Sequence, residues 1–177
     1  AIHRLERFFI KHPNDPANGL SHMTLGELRL RQFYSIPESS RPKNTNLLSQ
    51  ALGHFDVVLK SKKDKELLGK SWSGRGWALW EWGMLSGQSS QIIMAKNAFT
   101  NAVRELPRSR DKAVALFKAA DCLFRGSEYA SAISYYWASI NIATNTVGRD
   151  DRIVDQALYQ IVRSGVIRLD LPSAGQA

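Results

Sequence analysis

Between residues 46 and 59 the apolar positions Leu48, Ala51, Leu52, Phe55, Val58 and Leu59 fall on one side of a helix, three and four residues apart. Most of the chain has this period, and no alternation of period two runs long enough for a sheet. Breaks are expected at "HPNDPANG" (12–19), "PESSRPKN" (37–44), "SGQSS" (86–90) and "RGSE" (125–128), each rich in residues that leave helices. Thr24 with Glu27 predicts a capping box opening the helix "LGELRLRQFYSI", and Thr45 a cap for the next. "DKELLGK" reads as a short helix ended by "SWSGRG", before a tryptophan-rich one. "QIIMAKNAFTNAVREL" runs to Pro107; "RDKAVALFKAADCLF", "YASAISYYWASINIA" and "RDDRIVDQALYQIVRSG" follow, the last with an apolar tail "VIRLDL". The fold class expected is all-α.

Aligning these breaks exposes a repeat. Ala95, Phe99, Ala102 and Pro107 fall at offsets 0, 4, 7 and 12, with Gly83 twelve residues before Ala95. Tyr129, Ala132, Tyr136 and Ser139 mark the next pair, where Ala132, Tyr136 and Ser139 keep the first three offsets and Ala120 stands for Gly83. Ala51, Phe55 and Val58 repeat them earlier. The pattern resembles the tetratricopeptide (TPR) repeat, two antiparallel helices in about 34 residues with small residues where they cross. Residues 113–146 match it without a gap and residues 76–109 at five positions, whereas the intervals from Ala51 to Ala95 and from Ala95 to Ala132 depart from the family spacing. The resemblance implies a single all-α domain over 1–177. An N-terminal helix and loop (1–23) precede about three helix pairs (24–146), the first degenerate, stacked as a short solenoid. A capping helix and tail (147–177) cover the last apolar face.

It also implies a groove lined by the first helix of each pair: Trp77, Trp80, Met84, Gly87 and Gln88 in one repeat, Val114, Phe117, Asp121, Phe124 and Arg125 in the next. At about 100° per residue Trp77, Trp80 and Met84 share one face, with Leu79, Trp82 and Gly83 on the other. The candidate protein-binding residues are therefore Trp77, Trp80, Met84, Gln88, Phe117, Asp121, Phe124 and Arg125. The alternative is that Trp77 and Trp80 are intramolecular core, covered by the "DKELLGKSW" segment or the N-terminal helices.

Composition adds a charge asymmetry. The chain of 177 residues carries a formal +8. Residues 1–63 hold a net +5, residues 64–110 a net +3, and residues 111–177 seven bases against seven acids. Arg29, Arg31, Arg41, Lys43, Lys60, Lys62 and Lys63 are the candidates to contact RNA or another acidic partner. "AIHRLERFFIKHP" reads as a packed helix rather than a membrane-touching or targeting one. One cysteine, no sequon and no long apolar run suggest a soluble, intracellular protein with no transmembrane segment.

Catalytic signatures fail at the level of spacing. "GKS" (69–71) lacks the earlier glycine of a phosphate loop, Asp64 standing in its place, and "GRG" (74–76) has no third glycine. The four histidines form no HExxH pair, and Cys122 has no neighbouring ligand for zinc; it reads as a small core residue. No metal, cofactor or catalytic residue is nominated, and an enzyme is not expected. The expectation is an adaptor or assembly subunit that binds a protein segment, or, alternatively, a basic subunit of a ribonucleoprotein using residues 1–63.

Overall fold

Small residues where helices cross, and rings beside them, organise the chain. The structure, a computed structural model, describes residues 2–12, 15, 17–61, 64–146 and 150–174. Among them are eight α-helices and one 3-10 helix, and no strand. The α-helices are α1 (Ile2–Lys11), α2 (Asn18–Ser35), α3 (Asn46–Ser61), α4 (Lys65–Ser86), α5 (Ser89–Glu105), α6 (Arg110–Arg125), α7 (Tyr129–Thr144) and α8 (Asp151–Ala174). From α1 to α8, each packs against its neighbours in the chain, and α2 also touches α4, α4 touches α6, and α6 touches α8.

The repeated offsets mark equivalent positions. Ala51, Phe55 and Val58 on α3, Ala95, Phe99 and Ala102 on α5, and Ala132, Tyr136 and Ser139 on α7 all have 0% exposure. Ser139 Oγ donates 2.7 Å to the carbonyl of Ala113 on α6 and the Tyr136 hydroxyl donates 2.8 Å to Asp121, so both hydroxyls among the nine are satisfied. Phe55 lies against Gly26 of α2 and Gly74 of α4; a Cβ at either glycine would come within 2.6 or 2.3 Å of its ring. Phe99 sits the same way against Gly76, at 2.7 Å. These glycines are the reason helices and rings approach so closely.

Three boundaries differ from expectation for that reason or a related one. "SWSGRG" does not end a helix. α4 runs unbroken from Lys65 to Ser86, because Gly69, Gly74 and Gly76 are packed against Leu106, Phe55 and Phe99, a gain that outweighs poor helix propensity. Its start is capped by Asp64, which accepts from the Leu67 amide at 3.0 Å. Its end is Gly87, whose φ of +68° is the left-handed cap that glycine favours. Thr24 is not a cap: α2 begins at Asn18, and Thr24 Oγ1 donates back to the Leu20 carbonyl at 2.9 Å. α8 continues through Gly165 and the apolar tail to Ala174. The 37–44 break holds a 3-10 helix, Glu38–Asn44.

α1 is held by paired contacts. Arg29 of α2 donates to Glu6 at 3.1 Å, and Phe9 stacks on His22 with centroids 4.1 Å apart. His22 Nδ1 lies 3.1 Å from Nδ1 of His54 on α3, so one ring donates and the other accepts. Burial holds His22 below the usual imidazole range, and burial together with the charges of His22 and Arg29 does the same for His54. No described helix is long and apolar enough to cross a membrane.

Candidate functional site

The helices that touch one another at alternate places, α2, α4, α6 and α8, carry a run of three cavities. The first, of about 320 Å³ between α2 and α4, is bordered by Leu30, Arg31, Tyr34, Trp77 and Glu81. The second, of about 170 Å³, is lined by Trp80, Asp121, Phe124, Arg125, Tyr136, Gln160 and Arg163. The third, between α6 and α8, holds about 490 Å³ and shares Asp121 and Gln160 with the second, adding Phe117 and Tyr159.

Trp77 and Trp80 resolve into an intermediate case. Both are partly buried and pack on the central core, where Trp77 meets Phe99 edge to face at 5.9 Å. Their other faces are covered in part by one side chain, Lys118 of α6. Its Nζ stands 3.8 Å from the Trp80 ring centroid and 4.9 Å from that of Trp77. A buried ammonium requires compensation, and here two aromatic faces share that task with a carboxylate. Lys118 Nζ donates to Asp121 at 2.7 Å, and the other Asp121 oxygen accepts from the Tyr136 hydroxyl at 2.8 Å. Burial, reinforced by the Asp121 charge, pushes the Tyr136 phenol far above its ordinary range, so it stays a donor.

Two further cations lie on rings at this place. Arg125 stands 5.9 Å from the Trp80 ring and Arg163 of α8 stands 4.7 Å from that of Phe124. Phe117 packs on Tyr136 at 5.4 Å. Gln160 Oε1 is buried without a hydrogen-bond donor. The surface is thus aromatic and cationic around a neutralised Lys118–Asp121 pair.

Of the expected groove residues, Trp77, Trp80, Phe117, Asp121, Phe124 and Arg125 border these three cavities. Met84 is 42% exposed and borders none of them. Gln88 lies instead at the turns, lining a separate cavity of about 210 Å³ with Ile92, Lys96 and Arg125. Cys122 also reaches that cavity; it is buried, and burial pushes its thiol up to about 12. Lys118, Gln160 and Arg163 were not foreseen. Lys118 did leave a signal, as the one lysine inside the apolar run "AVALFKAADCLF" with an acid three residues on.

The basic residues scatter. Arg29 is tied to Glu6, and Arg41 donates to the carbonyls of Ile36 and Tyr34, both at 3.2 Å, while lying over the Phe33 and Tyr34 rings. Arg31, Lys43 and Lys60 are exposed. Lys62 and Lys63 lie outside the described residues. Among the described residues no three His, Cys, Asp or Glu side chains group closely enough to hold a metal ion. Compared with protein-family models and with curated proteins, the chain matches none.

Proposed function

We propose that this chain is a TPR-like adaptor without catalytic activity, and that it binds a segment of another protein in a groove across α2, α4, α6 and α8. The observation that carries the proposal is the alignment of three cavities along α2, α4, α6 and α8, which also touch one another at alternate places in the chain, while the helices between them carry the repeated ring-and-alanine core. An aromatic wall with a few fixed polar groups favours large apolar side chains and sets their orientation. The mixed rim, with Arg31 and Glu81 at one end and Arg163 and Asp155 at the other, gives a bound segment a direction.

Selection from a random peptide display library on the full chain, followed by anisotropy titration of the enriched peptides, tests this. Arg31→Glu and Arg163→Glu alter exposed side chains at opposite ends of the groove, and each is expected to weaken binding by about tenfold, or about 1.4 kcal/mol. Lys60→Glu, outside the groove, leaves it unchanged. Failure to enrich any peptide, or equal affinity for wild type and both groove variants, overturns the proposal.

A further inference from the structure

Arg125, at the end of α6, and Arg163, on α8, border the second cavity of the groove from different helices. Neither makes an ion pair among the described residues, although cations close by do: Lys118 pairs with Asp121 and Lys96 with Glu128. Each is laid instead over a ring of the same cavity, Arg125 at 5.9 Å from that of Trp80 and Arg163 at 4.7 Å from that of Phe124. A ring attracts the charge of a guanidinium but gives its N–H donors no oxygen to bind. The rings thus position two cations whose donors remain available.

The acids of the chain do not meet this need. Asp121 borders the cavity, but both its oxygens already accept, one from Lys118 and one from Tyr136. Asp155 borders the adjoining cavity rather than this one. The other two cavities have the opposite balance: the first sets Glu27 and Glu81 against Arg31, and the third has Asp121 and Asp155 with no cation. Only the second is bordered by more cations than acids, and buried Lys118 stands against its Trp80.

The excess suits a single carboxylate better than a polyanion. A phosphate backbone gains from a continued run of cations, yet residues 111–177, to which both arginines belong, balance seven bases with seven acids. Two guanidinium groups can instead hold one carboxylate through charge-assisted hydrogen bonds, and a cavity of about 170 Å³ walled by rings has room for one short side chain.

We infer that the protein segment held in the groove carries an aspartate or glutamate side chain, which enters the second cavity and pairs with Arg125 and Arg163. This rests on the proposed groove and adds to it the chemistry of the partner.

Peptides enriched from the random library on the wild-type chain, synthesised with amidated C-termini, are the probes. They should share an Asp or Glu at one position, and replacing that residue by its amide should weaken binding about tenfold. Against a chain carrying Arg125→Gln and Arg163→Gln, the acid peptide and its amide should bind alike, so that the two losses are coupled and do not add. Selection repeated on a chain with Arg125→Glu and Arg163→Glu should return Lys or Arg at the same position. Both arginines are exposed, and circular dichroism checks that the variants fold. Failure to enrich any peptide ends the groove and this inference together. Peptides that bind and lose affinity with Arg31→Glu, yet share no acid, overturn the inference alone. So do an acid peptide and its amide that bind the wild-type chain alike, a requirement for a free C-terminal carboxylate, or an unchanged preference for the acid on the Arg125→Gln, Arg163→Gln chain.

Discussion

α4 and α8 are the two longest helices, of 22 and 24 residues, and both carry glycine well inside them. In α4 every such notch is filled: Leu106 at Gly69, Phe55 at Gly74, Phe99 at Gly76 and Ile92 at Gly83. In α8 the notch at Gly165 is open. The difference teaches that a helical glycine has no fixed value. It always gives up about 1 kcal/mol of helix propensity against alanine, and whether that is returned depends on what a neighbouring helix brings to it. In α4 the return is close packing against Leu106, Phe55, Phe99 and Ile92; in α8 no described residue supplies it.

Gly74→Ala should produce the largest effect. Its Cβ would lie 2.3 Å from the Phe55 ring, which has little room to retreat because it also lies against Gly26, where a Cβ would come within 2.6 Å of it. Overpacking of this kind costs about 3 kcal/mol, enough to lower the melting temperature by about 10 °C in a chain of this size. Calorimetry measures it directly. Shortening the ring with Phe55→Leu in the Gly74→Ala background should recover part of the loss, giving a coupling well away from additivity. A variant as stable as wild type would show that the notch is not filled as described.

How far the sequence foretells these features follows from their physics. Period and offset reveal packing, because burial repeats along a helix every three to four residues; Ala51, Phe55 and Val58 could be matched to Ala95, Phe99 and Ala102 without coordinates. Helix ends were legible where a backbone requirement is local, as at Gly87, and illegible where a distant residue overrules propensity, as at Gly69 through Gly76. Which residues of α4 and α6 border the cavities was legible as far as they are periodic. Lys118 over Trp80 was not, since a contact between α4 and α6 depends on how two helices are placed side by side. For the same reason the sequence offered two readings of Trp77 and Trp80, core or wall, while the structure gives each a buried face and a face partly covered by Lys118.

Lys118 sharpens the comparison from the other side of α4, whose aromatic face is covered by its own chain where that of α8 is bare. Lys118→Met keeps the length of the side chain and removes the ammonium. The nearly buried Asp121 then retains only the Tyr136 hydroxyl, and the two indoles lose their cation. Removing one member of a buried pair leaves the other uncompensated, and with both side chains slightly exposed the expected cost is about 2 kcal/mol. Lys118→Met combined with Asp121→Asn should be less harmful than the sum of the two, because neither charge is then stranded. Chemical denaturation followed by tryptophan fluorescence reads both the stability and the environment of the rings. A single-variant loss below about 0.5 kcal/mol would make the pair an exposed one in effect.

The smallest expected effect has the opposite sign, and it separates the two helices most cleanly. Gly165→Ala adds a Cβ into open space in mid-helix, so the monomer should gain about 0.5–1 kcal/mol from helix propensity and a less disordered unfolded chain. Thermal unfolding reads the gain, set against the plain loss at Gly74. A fall in melting temperature would mean that α8 is packed where it is here seen to be open.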